Sequence, residues 1–95
     1  MTGTGRSSAG LDARRKRLLF RAWHRGIREM DFLLGRFLDA QIEHLAPSEL
    51  DRLEILMGLP DPELYAWLTG AEPIPADADA AMLARIREFH LAREK

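Results

Sequence analysis

Apolar residues recur every three or four positions from Asp12 onward, which is the spacing of one face of an α-helix. The first apolar stripe consists of Leu19, Trp23, Ile27, Met30, Leu34, Phe37, Leu38, Ile42 and Leu45. No stretch long enough to form a β-strand alternates between apolar and polar residues, and valine, a residue favoured in strands, is absent. The pattern therefore predicts an all-α fold of four or five short helices joined by turns.

Two helices are predicted between residues 47 and 70 from residue types that begin and end helices. The signals are Ser48 (N-cap) and Gly58 (stop) for the first, and Asp61 (N-cap), Pro62 (first helical position) and Gly70 (C-terminal cap) for the second. Their predicted apolar faces are Leu50, Leu53, Ile55, Leu56 and Leu59, and then Leu64, Tyr65, Trp67 and Leu68.

A last helix is predicted over residues 76–93, after a turn rich in proline and acidic residues. Its apolar side comprises Met82, Leu83, Ile86, Phe89 and His90. Asp77 and Asp79 are expected in its first turn, where the helix dipole favours carboxylates. Residues 1–11 are mostly Gly, Ser and Thr and predict a disordered tail, so residues 12–95 form the single predicted domain.

Composition narrows the class of protein. The chain has 95 residues, of which 46% are hydrophobic and 31% charged, as expected for a small soluble domain with a thin core. No apolar run approaches the roughly 20 residues that span a membrane, so membrane insertion is not expected. The absence of cysteine excludes disulfides and thiolate zinc sites and fits a reducing compartment, and we predict a cytoplasmic protein.

Charge is distributed unevenly along the chain. Residues 1–29 carry eight Lys and Arg against two acids, whereas residues 30–82 carry two against eleven. A basic leading end could bind an acidic protein surface, or it could bind nucleic acid with an affinity that falls steeply with salt. It could equally be the solvated start of a helix, and the acidic middle argues against a broad nucleic-acid footprint.

The sequence contains no constellation of residues that would support catalysis. The three histidines, His24, His44 and His90, lack metal-ligand spacing, and no phosphate-binding glycine-rich loop is present. Ser48 is assigned to a helix cap, and the other serines lie in the tail. The lack of such residues favours a binding protein over an enzyme. A small antitoxin-like interaction module remains an alternative.

The stretch "RGIRE", residues 25–29, interrupts the most regular apolar stripe. A glycine inside a helix costs roughly 1 kcal/mol relative to alanine. Gly26 therefore indicates either that the helix is interrupted there or that something outside the helical pattern requires a glycine. One interpretation is that the chain turns there, with Gly26 near an N-cap and Glu29 reaching back to the cap. The other is that Gly26 lets a partner's backbone approach closely, while Arg25 and Glu29 flank and orient that contact.

Two blocks of the sequence resemble a known family. "WHRGIREMDFLLGRFL" contains an Arg-Gly-x-x-Glu signature, preceded by a Trp and followed by an Asp, and "DPELYAWLTG" is similar to the second block of the same family. These blocks are typical of the SdhE family, the small helical FAD assembly factors of succinate dehydrogenase. The resemblance covers about residues 14–91.

The resemblance implies a five-helix bundle that acts as an assembly chaperone. Such proteins bind the flavoprotein subunit of succinate dehydrogenase, and often that of fumarate reductase, and promote covalent attachment of FAD to a histidine of that subunit. The implied partner-binding residues are Arg25, Gly26, Glu29 and Asp31. The resemblance further implies that the chain holds no FAD stably itself, and we expect a monomer that binds no nucleic acid.

Overall fold

A computed structural model describes residues 10–93, and the chain in that range is predominantly helical. The helices are α1 (Ala13–Ala22), α2 (Arg28–Gln41), a short 3-10 helix (Ile42–His44), α3 (Pro47–Met57), α4 (Asp61–Leu68) and α5 (Ala80–Arg93). No strand occurs within residues 10–93. The all-α class and the five helices are therefore confirmed, whereas the predicted disordered tail lies almost entirely outside the described residues.

The chain forms two compact units that divide between Leu45 and Ala46. In the first unit, α1 packs against α2, and the 3-10 helix contacts both. Its buried apolar residues are Leu18, Leu19, Ala22, Trp23, Met30, Leu34, Phe37, Leu38, Ile42 and Leu45. The predicted stripe is thus confirmed except at Ile27, which is 42% exposed because it caps α2 outside the helical repeat. Whether residues 12–95 act as one domain stays a prediction.

Hydrogen bonds from Arg15 connect α1 to the C-terminal end of the first unit. Its Nε donates a hydrogen bond to the carbonyl of Ile42 at 3.0 Å, and a second guanidinium nitrogen donates to the carbonyl of Leu45. The same guanidinium pairs with Asp12, whose carboxylate also accepts from the backbone N–H of Arg15 at 2.8 Å and so caps α1. The basic run of residues 14–17 therefore contains a structural cation, because Arg15 satisfies carbonyls that the 3-10 helix leaves open.

In the second unit, α4 packs against α5. The buried apolar residues are Leu50, Leu53, Leu56, Met57, Leu64, Trp67, Leu68, Met82, Leu83 and Ile86. The assignment of two residues to the predicted apolar faces was wrong, since Ile55 is 74% exposed and Tyr65 is 39% exposed. Ile55 lies one position from the buried Leu56, and a one-residue step rotates a side chain by about 100° around a helix.

The helix starts of the second unit differ from the predicted caps. α3 begins at Pro47, so Ser48 lies inside the helix, and Glu49 accepts from the backbone N–H of Ala46 at 2.8 Å. α4 already includes Asp61, whose predicted role as N-cap was one residue off. Asp79 precedes α5 and accepts from the N–H of Met82 at 3.0 Å.

The predicted start of the last helix was four residues too early. Asp77 lies outside α5, which begins at Ala80, so its predicted place in the first turn was wrong. The predicted ends of α3 and α4 are confirmed. Gly58 caps α3, and Gly70 follows α4 with φ +80°, a left-handed conformation that glycine adopts most readily.

Two ion pairs connect elements within the second unit. Arg52 binds both carboxylate oxygens of Asp79 at 2.7 and 2.8 Å, and Arg85 binds Glu49 at 2.6 Å. The hydrogen bond from Arg52, followed by that from the Met82 N–H, lowers the pKa of Asp79. The Ala46 N–H and then Arg85 lower the pKa of Glu49.

These two carboxyls predict acid sensitivity of the second unit. A group whose pKa is lower when folded contributes stability above its unfolded pKa and loses that stability as pH falls through the folded value. The ordinary values are 3.8 for Asp79 and 4.5 for Glu49, so thermal unfolding should be steady near neutrality and shift to lower temperature below about pH 4.5. The double variant Asp79→Asn, Glu49→Gln should show a flatter pH dependence. An equally steep dependence in that variant would contradict this assignment.

Candidate partner-binding site

The four predicted site residues lie together where α1 passes into α2. α1 ends at Ala22, and α2 begins at Arg28 with Ile27 as its N-cap. Arg25 and Gly26 therefore lie in the connecting turn, whereas Glu29 and Asp31 lie in the first turn of α2. The structure thus brings all four to one end of the first unit.

Gly26 gives the turn its shape. Its φ is +105°, a region that residues with a Cβ rarely adopt. A Cβ built at this position would meet no atom within 4 Å, so the space beside it is open. Within the chain, Gly26 is needed for its backbone conformation and not to avoid a clash. The same open space leaves its backbone accessible from outside.

The interpretation that the chain turns at Gly26, near an N-cap, is confirmed, but the role expected of Glu29 was wrong. The N-cap is Ile27, the residue after Gly26, and its side chain makes no capping hydrogen bond. Glu29 was expected to reach back to the cap. Instead, Asp31 makes the backward hydrogen bond by accepting from the backbone N–H of Arg25 at 2.6 Å.

Asp31 therefore fixes the turn from within the helix. Its carboxylate is half-buried, its own N–H donates to the carbonyl of Ile27 at 3.0 Å, and its side chain holds the Arg25 backbone six residues earlier. A carboxylate in the first turn is also favoured by the dipole of α2. This leaves Glu29 as an exposed carboxylate and Arg25 as a half-buried cation beside the open backbone of Gly26.

Trp23 anchors the other end of the turn. Its ring is buried, and its Nε1 donates a hydrogen bond to Asp39 at 3.1 Å. The ring lies directly over Gly35, where a Cβ would come within 2.4 Å of two ring atoms. The contacts of Trp23 with Gly35 and Asp39 were not predicted from the sequence. The available signal was a second glycine inside a helical stripe, at a position where alanine is intrinsically favoured.

Neither metal binding nor membrane crossing finds support in the described part of the chain. No group of three or more His, Asp or Glu residues within 10–93 could hold a metal ion. No helix in this range is long and apolar enough to cross a bilayer. The turn presents an accessible backbone at Gly26, which lies in the chain between the guanidinium of Arg25 and the exposed carboxylate of Glu29.

Comparison with known proteins places this turn inside a matched region. Residues 16–90 match a family described as "Flavinator of succinate dehydrogenase". The chain is 41% identical over 87 residues to a protein of Acetobacter pasteurianus named "FAD assembly factor SdhE", covering 92% of this chain and 80% of that relative. No solved structure matches the chain significantly.

Mitochondrial relatives are longer. Proteins named "Succinate dehydrogenase assembly factor 2, mitochondrial" are 35% identical over 72 residues in Mycosarcoma maydis and 32% identical over 73 residues in Dictyostelium discoideum. These matches cover 76% and 77% of this chain, but only 30% and 52% of the relatives. The chain therefore spans about half or less of these two mitochondrial proteins.

Proposed function

Because this chain belongs to the family of succinate dehydrogenase flavinators, we propose that it is a non-catalytic assembly factor that binds the flavoprotein subunit of succinate dehydrogenase. It promotes covalent attachment of FAD to a histidine of that subunit. The observation that carries the proposal is the family match over residues 16–90, which contains the turn with Arg25, Gly26, Glu29 and Asp31. The same proposal extends to the fumarate reductase flavoprotein.

In this proposal the flavoprotein holds the FAD and supplies the reacting groups. A histidine ring nitrogen bonds to the flavin methyl carbon, and the hydrogens lost from the histidine N–H and from the methyl group end on the reduced flavin. Negative charge accumulates on the flavin ring as the new bond forms. The small protein works in the cytoplasm as a monomer until it binds, and it takes no part in the bond changes.

Its contribution is to select one conformation of the flavoprotein. If the turn binds the arrangement in which histidine and flavin are aligned more tightly than other arrangements, that arrangement becomes more populated. A tenfold increase in population requires only about 1.4 kcal/mol of differential binding. An exposed Glu29 and the open backbone at Gly26 support such a contact, since both are accessible without rearrangement of the chain.

The direct test is covalent flavin on the flavoprotein subunit, read as flavin fluorescence in a denaturing gel. Purified flavoprotein is incubated with FAD, with and without this protein, and the bands are followed over time. Fluorescence that appears faster or only with the protein supports the proposal. Equal bands at all times would contradict it.

Replacing Glu29 should weaken flavinylation without changing the fold. Glu29→Ala removes an exposed carboxylate that makes no capping contact, so thermal stability should change little, while the flavinylation rate at limiting protein should fall several-fold. Glu63→Ala, an exposed carboxylate of the second unit, is the matched control and should retain the full rate. Equal rates for the two variants would remove Glu29 from the contact.

A further inference from the structure

The exposed face of α1 is both cationic and aromatic. Lys16, Arg17, Phe20 and Arg21 are all exposed on it, and His24 continues the same face beyond the end of the helix. The opposite side of α1 carries the buried Leu18, Leu19 and Ala22. Phe20 is 63% exposed, although burial of a phenylalanine side chain is favourable.

Phe20 and His24 form one flat stack. Their ring centroids are 3.8 Å apart, and the ring planes differ by 15°. His24 Nδ1 lies 2.6 Å from the carbonyl oxygen of Phe20, and because a carbonyl only accepts, Nδ1 carries the proton. The contact fixes the orientation of the imidazole. It also holds a two-ring surface next to the turn, since His24 is followed directly by Arg25.

We propose that the Phe20–His24 stack, with Lys16, Arg17 and Arg21 around it, is a second contact surface for the flavoprotein subunit. The surface fits an apolar recess bordered by carboxylates on that subunit. This inference rests on the proposed function, because it names a second contact with the same partner. It adds residues that the Arg-Gly-x-x-Glu signature does not include.

Three features of the chain support this partner. His24 is followed in the chain by Arg25 and the exposed Gly26 of the turn, so one partner can contact both the stack and the turn. Aromatic residues and arginine are the side chains that most often dominate binding at protein interfaces. The three cations predict a partner surface that is negatively charged, which would speed association at low salt.

A nucleic acid fits this surface less well. Single-stranded nucleic acids bind by stacking bases on aromatic rings within a cationic groove. Here Phe20 and His24 already stack on one another, which occupies one face of each ring. Arg15 of the basic run is bound to the backbone carbonyls of Ile42 and Leu45 and to Asp12.

The test is a double-mutant cycle on the stack. The dissociation constant for purified flavoprotein subunit is measured by calorimetry for wild type, Phe20→Ala, His24→Ala and the double variant. Each single variant should bind at least tenfold more weakly. The double variant should bind scarcely more weakly than either, because the two rings act as one unit. Phe20→Tyr, which keeps a stacking ring, should bind within about threefold of wild type.

Ile55→Ala is the matched control, since Ile55 is 74% exposed and lies in the second unit. It should bind within about twofold of wild type. Gly26→Arg separates this inference from the proposed function. Loss of binding in Gly26→Arg with unchanged binding in both stack variants would overturn only the second surface. Failure of the wild-type protein to bind the flavoprotein, or tighter binding to single-stranded RNA or DNA, would overturn both.

Discussion

Gly26→Arg is expected to abolish protein-dependent flavinylation of the succinate dehydrogenase flavoprotein. Two effects act together in this variant. A side chain at φ +105° strains the backbone by roughly 1–2 kcal/mol, and a long cation fills the open space through which a partner would approach. The first effect lowers stability, whereas the second blocks docking.

Matched variants separate these effects. Gly26→Ala has a similar backbone strain but adds only a methyl group, so it should lower the unfolding temperature about as much as Gly26→Arg while retaining much of the flavinylation. Gly70→Ala, at φ +80° in the second unit, controls for strain elsewhere and should flavinylate normally. Flavin fluorescence and thermal unfolding are measured on all three variants. Full flavinylation by a folded Gly26→Arg would show that the turn is not the docking site.

Gly35→Ala is expected to destabilise the first unit by roughly 2 kcal/mol, although alanine is the better helix former. The new Cβ would lie 2.4 Å from the nearest atoms of the Trp23 ring, so the buried ring must move. That movement also strains its hydrogen bond to Asp39. Overpacking therefore outweighs the gain of about 1 kcal/mol in helix propensity.

A double-mutant cycle with Trp23→Leu tests this cause. Removing the overhanging ring should make Gly35→Ala much less harmful, so the two changes together should destabilise less than the sum of their separate effects. Urea unfolding followed by circular dichroism gives the free energies. Gly58→Ala, where the nearest atom to a Cβ is 3.4 Å away, is the control. Strict additivity of Gly35→Ala and Trp23→Leu would contradict the proposed overlap.

Flavinylation by Gly35→Ala adds information on the turn. Trp23 lies two residues before Arg25, and its ring is held by Gly35 and Asp39. A displaced ring should therefore disturb the turn from its α1 side. We expect Gly35→Ala to flavinylate more weakly than its loss of stability alone explains.

The four or five helices, and a turn at Gly26 as one interpretation of that glycine, could be predicted because they depend on local sequence. Apolar spacing is set by the helical repeat, and glycine is the residue that adopts positive φ most readily. The exact caps could not be predicted in this way. Glu29, Asp31 and Asp61 are all carboxylates near helix starts, and which of them accepts a backbone N–H depends on the path of the chain.

The sequence by itself determined the all-α class and most of the buried face of α2, α3, α4 and α5, and it offered a turn at Gly26 as one of two interpretations. The tertiary structure decided that Asp31 and not Glu29 holds Arg25, that Trp23 lies over Gly35, and that Phe20 stacks on His24 in the open. The reason is physical. Helix periodicity is encoded by neighbours within a few residues, whereas a close contact between two helices depends on how their side chains pack in three dimensions.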